Sequence, residues 1–592
     1  MIFRRSKHIR RTREIDPDEI FIDSSNLPDF DVHQFEGQIE QPIPRSSMQI
    51  TGIIFLMVSL FFLYKIADLQ IFQGNRYKDI SENNRLHHSL IFAERGAITD
   101  REGKILAWNQ IDQDQSEFSL RSYTTDEGLH NLLGYVKYPK KDKFGFYYNT
   151  EYSGADGVEK YFNTILSGIN GLKITETDAL GKVLSESTVR PAKKGDNVAL
   201  SIHAGAQKAM YDSISEIAHR SGFSGGAAVV MDVKTGEVLV SVSYPEYDSN
   251  VLTDGKDVEK INSYINNSNN PFLDRVSSGL YTPGSIIKPI FALAALSEGV
   301  ITPEKQIEST GELKVPNPYK PGEFTIFKDW KAHGFTDMAH AIAVSSDVYF
   351  YEIGGGFPGQ KGLGIDNIGK YSRMFGLADG LDGTYFTGKS GVIPSPDWKK
   401  KNFNGDIWRL GDTYNTAIGQ YGFQISPIQA VRAVAALANS GTLLTPTLIS
   451  EKSKTELLSS GELTEDEIKS VENPSRKIDI GLDSNGHLTD AGTNWYRVVR
   501  EGMRLTVTEG TMKAVNLPYV KVAGKSGTAQ LGISKKNINS WATGFFPSEA
   551  PRYAFAVLLE KGPATATEGG TAAMALWLDW MNIYANDYLQ AQ

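Results

Sequence analysis

No cysteine occurs in the 592 residues. That excludes disulfides, thiolate zinc sites and a cysteine nucleophile, and it fits a chain exported without oxidative folding. Histidine is scarce, at 10 residues. None of them, His8 and His33 included, shows metal-ligand spacing, so no metal and no other cofactor is assigned. An excess of base is also missing: 61 Lys and Arg against 70 Asp and Glu leave a net charge of -9, which argues against a nucleic-acid partner. What is present is an ordinary globular balance, 40% apolar and 22% charged, in a chain too long for one core and suited to two or three domains.

Residues 1–47 open with a basic run (Arg4, Arg5, Lys7, Arg10, Arg11, Arg13) and pass into an acidic stretch without apolar periodicity, which reads as a disordered tail. Residues 50–64 then carry no charge. Extended to 48–66, with Lys65 snorkelling, the run nears the roughly 20 residues a spanning helix needs. It predicts a single transmembrane anchor over 48–69. It lies too deep for a cleavable signal peptide and lacks a small-residue cleavage site. A buried core helix is the alternative. The basic residues ahead of it place the N-terminus in the cytoplasm and everything after Leu69 outside the cell membrane.

From 70 to 221, short apolar runs alternate with polar turns. Arg95 to Ala107 reads as two strands joined at Arg101 to Gly103, so this stretch is a β-rich module without catalytic groupings, closed by a helix at 204–219. Residues 222–592 form the next domain. It opens with a hairpin at 227–240 turning at Lys234-Thr235-Gly236, continues with helices predicted at 290–298, 338–353 and 429–438, and ends with strands at 520–523 and 553–559 and a helix at 572–588. The 338–353 helix is interrupted at Ser345-Ser346-Asp347. Strands from both ends around a helical middle make an α+β sheet domain.

The chemistry centres on Tyr281-Thr282-Pro283-Gly284-Ser285-Ile286-Ile287-Lys288-Pro289. A Pro-Gly turn delivers Ser285 to the start of a helix. Residues three apart share a helix face, so the Lys288 amine comes within reach of the Ser285 hydroxyl, where the helix N-terminus adds positive potential. Such a pair can activate a serine. Taken alone it reads as well as a serine near a helix start with a solvated lysine. Taken alone, Ser345-Ser346-Asp347 reads as a helix cap.

Lys-[Ser/Thr]-Gly occurs at 234, 389 and 525. Lys234 sits at a hairpin turn, where Thr-Gly is ordinary. Lys389 ends a formal P-loop match beginning at Gly383, but a P-loop needs a following helix to cradle phosphate, and Pro394 and Pro396 argue against one. Lys525 alone follows a strand-like run and comes last in the chain.

Ser285-x-x-Lys288, Ser345-Ser346-Asp347 and Lys525-Ser526-Gly527-Thr528, in that order, resemble the signature of penicillin-binding proteins. Arg95-Gly96 with Asp100 to Gly103 is similar to the entry of the family's pedestal domain. Gly411 to Gln420, followed by Ser426-Pro427-Ile428-Gln429, is similar to a further family segment. The chain resembles a class B penicillin-binding protein, most like the elongation-type penicillin-binding protein 2 branch. The resemblance implies a cytoplasmic tail (1–47), an anchor (48–69), a pedestal or dimerisation-like domain (70–221) and a serine β-lactamase-like α/β transpeptidase domain (222–592). It implies that Ser285 attacks the penultimate D-Ala of a peptidoglycan stem peptide, that Lys288 takes its proton, and that Ser345 relays a proton to the departing D-Ala. Lys525, Ser526, Gly527 and Thr528 would hold the stem carboxylate, and the backbone N–H groups of Ser285 and Thr528 would form the oxyanion hole. Asp347, where the general signature has an amide, is expected to orient Lys288 through a charge-assisted hydrogen bond. β-Lactams and a SEDS-type (RodA-like) membrane glycan polymerase are the implied ligands and partner. Two other classes stay open: a membrane-bound β-lactamase or β-lactam sensor, and a scaffold that chiefly activates a glycan polymerase.

Overall fold

The computed structural model describes residues 44–78, 86–110, 117–143, 147–177, 183–317, 320–459, 468, 472, 474–532 and 534–590. It divides into a unit of 1–87 with 176–185 and a larger unit of 88–175 with 186–592. The predicted tail lies outside the described residues up to position 43.

The smaller unit contains a helix, Arg45–Ala67 (α1), continued by a π turn, Asp68–Phe72. It begins three residues before the predicted anchor and buries none of its side chains; Phe55, Leu63 and Phe72 are all open. Lys65 lies 3.8 Å from Asp68 near its end. Among the described residues it is the one helix long and apolar enough to cross a membrane.

The larger unit starts with short strands Ile98–Thr99 (β1), Ile105–Gln110 (β2), Leu120–Tyr123 (β3) and Val198–Ala199 (β4), ordered β4-β1-β2-β3. The turn between β1 and β2 is held by Asp100, whose Oδ1 accepts from the N–H groups of Glu102 (2.9 Å) and Lys104 (2.8 Å). Its Oδ2 accepts from Ala204 (3.1 Å), the first residue of helix Ala204–Ser221 (α2). Arg95 turns inward. Its Nε meets Glu159 Oε2 at 2.6 Å, while Arg121 Nε meets Glu159 Oε1 at 2.7 Å, all three side chains at most 1% exposed. Gly96 is required beside it, since a β-carbon there would lie 1.9 Å from the Asp196 carbonyl oxygen.

A five-stranded antiparallel sheet follows, built from Gly225–Asp232 (β5), Val238–Tyr244 (β6), Ala523–Leu531 (β7), Asn537–Phe546 (β8) and Tyr553–Pro563 (β9), ordered β6-β5-β9-β8-β7. Ala227, Val229 and Met231 join one core cluster and Ala228 and Val230 the other. A strand covered on both faces reads as a continuous apolar run, because successive side chains alternate sides. One face carries α2 and Gly570–Tyr584 (α8), tied by Trp577 Nε1 donating to Ala206 O at 2.9 Å. The other carries Lys288–Ser297 (α3), Met338–Val344 (α4), Asp347–Gly355 (α5), Pro427–Ala438 (α6) and much of Asp490–Thr508 (α7). All twelve residues of α6 are buried.

Three predicted elements are corrected. The strand predicted at 520–523 begins at Ala523 and runs through the Lys525 motif instead of preceding it. The closing helix stops at Tyr584 and resumes as a 3-10 turn, Asn586–Tyr588. Pro396, taken as a helix breaker, instead opens helix Pro396–Asn402, with Ser395 Oγ accepting from Trp398 N at 3.1 Å; proline is tolerated in a first turn because its missing N–H had no helical partner there. Residues 389–395 remain irregular.

Glu159→Ala would leave two buried guanidinium groups facing each other without a counter-charge. Breaking such a buried pair costs about 3–5 kcal/mol, so the thermal midpoint of this strand module should fall sharply. A wild-type midpoint would show that the triad does not hold it.

Candidate active site

Ser285 lies not on an α-helical turn, as predicted, but in a single 3-10 turn, Gly284–Ile287, from which α3 departs at Lys288. Residues three apart eclipse in a 3-10 turn, so Ser285 and Lys288 still share a side. The turn is pinned from two directions. Tyr281 and Ile425 exchange backbone hydrogen bonds of 2.8 and 2.9 Å, and Gly284 N donates to Gly419 O at 3.0 Å. Both neighbours approach so closely that side chains are excluded. A β-carbon on Gly419 would lie 2.2 Å from Gly284 O, and one on Gly527 would lie 2.8 Å from Pro283 O.

Lys288 is fully buried. Its Nζ donates to Asp347 Oδ1 at 2.6 Å, to Ser345 O at 2.9 Å and to Ser345 Oγ at 3.4 Å, and stands 5.2 Å from the centre of the Phe350 ring. None of its hydrogen bonds goes to Ser285. The oxygens come from the junction of α4 and α5. Ser345 ends α4 in the left-handed region, with φ 58° and ψ 40°, and Ser346 caps α5 by accepting from Tyr349 N. Asp347, the first residue of α5, is thereby free to turn its carboxylate to the lysine instead of capping.

Lys525 is also fully buried, on β7, the edge strand that faces the nucleophile turn through Gly527. Its Nζ donates to Ser526 O at 2.9 Å, and it has no ion pair among the described residues. Burial, then the Lys288 ammonium, hold this amine well below the usual lysine value, with Asp347 acting in the opposite sense. Ser526 Oγ meets Thr511 Oγ1 at 2.5 Å. Thr528 is exposed on the same strand, its carbonyl oxygen 3.2 Å from where a β-carbon on Gly284 would stand. The structure therefore brings Ser285, Lys288, Ser345, Asp347, Lys525, Ser526, Gly527 and Thr528 to one place. No group of metal-ligating side chains is found among the described residues.

The family model of the penicillin-binding protein transpeptidase domain matches residues 226–581, and that of the penicillin-binding protein dimerisation domain matches 113–200. The chain belongs to the class B penicillin-binding protein transpeptidases. Among curated relatives, the peptidoglycan D,D-transpeptidase MrdA of Haemophilus influenzae is 31% identical over 496 residues, covering 79% of this chain and 70% of that one. The crystal structure of Pseudomonas aeruginosa PBP2 in complex with WCK 5153 is 27% identical, with a TM-score of 0.66, covering 85% of this chain and 99% of that one. A chain from a structure titled structural coordination of polymerization and crosslinking by a peptidoglycan synthase complex shares the fold at 22% identity and a TM-score of 0.66, covering 93% of this chain and 99% of that one.

Sequence reading of this penicillin-binding protein missed Thr511, Gly419 and Trp541, whose Nε1 donates to Thr282 O at 3.0 Å. It also missed Asp329, buried under the Ser346 cap. Gly419 lay within a quoted family segment; the others carry no local signal. The two rejected Lys-[Ser/Thr]-Gly copies lie elsewhere in the fold: Lys234 at the β5–β6 turn, where Asp232 Oδ1 accepts from its N–H at 2.7 Å, and Lys389 in an irregular stretch.

The depressed Lys525 amine gives a signed pH prediction. Between its lowered native value and the usual 10.5, the unfolded chain binds a proton that the native chain has shed, so native stability rises with pH across that window. Lys525→Met removes this contribution, and its stability should climb less steeply than wild type as pH rises toward the usual lysine value. Equal slopes in urea unfolding would show that Lys525 keeps its proton in the native protein.

Proposed function

We propose that this transpeptidase cross-links peptidoglycan stem peptides through an acyl-enzyme on Ser285. The observation that carries the reading is the buried Lys288 amine, held by Ser345 and Asp347 on the side it shares with Ser285. Ser285 Oγ attacks the carbonyl carbon of the penultimate D-Ala and passes its proton to Lys288 in its unprotonated form. The negative oxygen that develops is received by the N–H groups of Ser285 and Thr528, a contribution of roughly 3 to 4 kcal/mol per donor. Collapse of the tetrahedral intermediate expels D-Ala, which takes a proton by way of Ser345. An amine from a neighbouring stem then attacks the ester carbonyl and releases Ser285. Among the described residues Lys525 has no ion-pair partner, which supports its part in holding the stem carboxylate: that anion would bring a counter-charge. A β-lactam acylates the same serine.

The all-round apolar α1 supports a single-pass cell-membrane anchor, and the basic run ahead of it a cytoplasmic N-terminus with the catalytic domain outside. An elongation-type role is supported by the MrdA relatives, and a SEDS-type polymerase partner by the fold shared with the solved synthase complex.

Ser285→Ala and Lys288→Ala should each abolish the penicilloyl adduct seen by intact mass, while Lys389→Ala retains it. An adduct persisting on Ser285→Ala would remove the assignment, and rapid turnover of a labelled penicillin by the wild type would favour the β-lactamase reading. Deletion of residues 1–72 should release a soluble protein that still acylates; a fragment retained on membranes after an alkaline wash would show that a further segment inserts.

A further inference from the structure

Ser345 carries an unusual load. Its left-handed backbone is uncommon for a residue with a β-carbon and persists only when the surroundings enforce it, yet the same turn sets both oxygens that Ser345 offers to Lys288. The segment after strand Phe324–Lys328 grips it from both flanks. On the near side, Trp330 Nε1 donates to the carbonyl of Val344 at 3.2 Å. On the far side, Asp329 Oδ2 accepts from Ser346 Oγ at 3.0 Å and from Val348 N at 3.0 Å. A third bond to that oxygen, from Ser309 Oγ at 3.0 Å, and one from Trp330 N to Oδ1 at 2.8 Å fix the carboxylate itself. Asp329 N donates to Gly311 O at 2.9 Å, and His333 N to Ser309 O at 2.9 Å, so the grip is anchored on the end of strand Ile307–Ser309 and the bend that follows it.

We propose that Asp329 and Trp330 are positioning residues that clamp the Ser345 turn in register with Lys288, and so set the rate of serine acylation without touching the substrate. The inference rests on the assignment of Ser285, Lys288 and Ser345 made above. The Asp329 side chain is 0% exposed, so its charge has no reason to be there unless it accepts strong hydrogen bonds. Burial pushes its carboxyl up, but the N–H groups of Val348 and Asp347 and the Lys288 charge outweigh this and hold it below the usual 3.8. The one imidazole beside it, His333, stands 3.4 Å from Oδ1, and burial pushes that ring down. Asp329 thus acts as an acceptor facing donors throughout. An Asn in its place must turn an amino group toward either the Ser309, Ser346 and Val348 donors or the Trp330 N–H.

Stopped-flow acylation of the membrane-anchored protein by a fluorescent penicillin, resolved into a non-covalent constant and a limiting rate, tests this. Asp329→Asn should lower the limiting rate about tenfold and Trp330→Phe, which keeps the ring but loses the donor, about threefold, with the non-covalent constant unchanged. Added to Ser346→Ala, Asp329→Asn should have little further effect, because it acts through the same cap. Wild-type limiting rates in both single variants would overturn the proposal. So would full additivity with Ser346→Ala, or a slower rate matched by weaker penicillin binding. Trp330 is largely exposed, so its variant keeps the test open if Asp329→Asn folds poorly. Acylation surviving in Ser285→Ala would instead reject the underlying site assignment.

Discussion

A lysine amine with no exposure to water is the constraint on which this site is built. Taking an ammonium out of water costs several kcal/mol unless oxygens replace the lost hydration, and Lys288 has three: the Asp347 carboxylate, the Ser345 carbonyl and, more distantly, the Ser345 hydroxyl. They come from residues 57 and 59 positions downstream, so the amine can be buried only if the start of α3 meets the break between α4 and α5. The remaining geometry follows. The break must exist, the nucleophile turn must be tight enough to aim Lys288 inward beside Ser285, and β7 and the 419 loop must close over that turn, which glycines at 419 and 527 permit.

A second buried amine shares the same interior, and one carboxylate lies close to both. Asp347 pairs with Lys288, while among the described residues the Lys525 amine donates to a neutral carbonyl, that of Ser526. Burial first, and then repulsion from the Lys288 charge, disfavour the charged form of Lys525, while Asp347 acts in the opposite sense.

The parts of this arrangement that were legible in the sequence are those set by short spacing or chain order. Ser285 and Lys288 fall on one side whether the turn is α or 3-10, so mistaking the turn type did no harm. Ser345 and Asp347 were found at a helix interruption, and Lys525 by coming last of three copies. The edges of elements were less legible: Pro396 was read as a breaker although a capping Ser precedes it, and β7 was placed three residues too early because the polar, glycine-containing Gly524-Lys525-Ser526-Gly527 run has little strand propensity. Strand β8 was not seen at all. Its Asn539 and Ser540 look like turn residues, yet Asn539 Oδ1 accepts from Lys561 N and Ser540 Oγ from Gly570 N, bonds that exist only once β9 and α8 are in place. Tertiary partners satisfy them, so propensity misleads.

Asp329 shows the same limit in its strongest form. An Asp-Trp pair after a surface hairpin resembles many turn sequences, and nothing within ten residues marks it as the acceptor under a helix cap. Its meaning lies in three donors, Ser309, Ser346 and Val348, that are 20, 17 and 19 positions away. A cap satisfied by its own helix tolerates small shifts, but a cap also bonded to a buried carboxylate cannot move without stranding that charge. The site therefore gains rigidity where motif residues alone would give only composition: the motif supplies the reacting groups, and a non-motif anion beneath it fixes the turn that presents them.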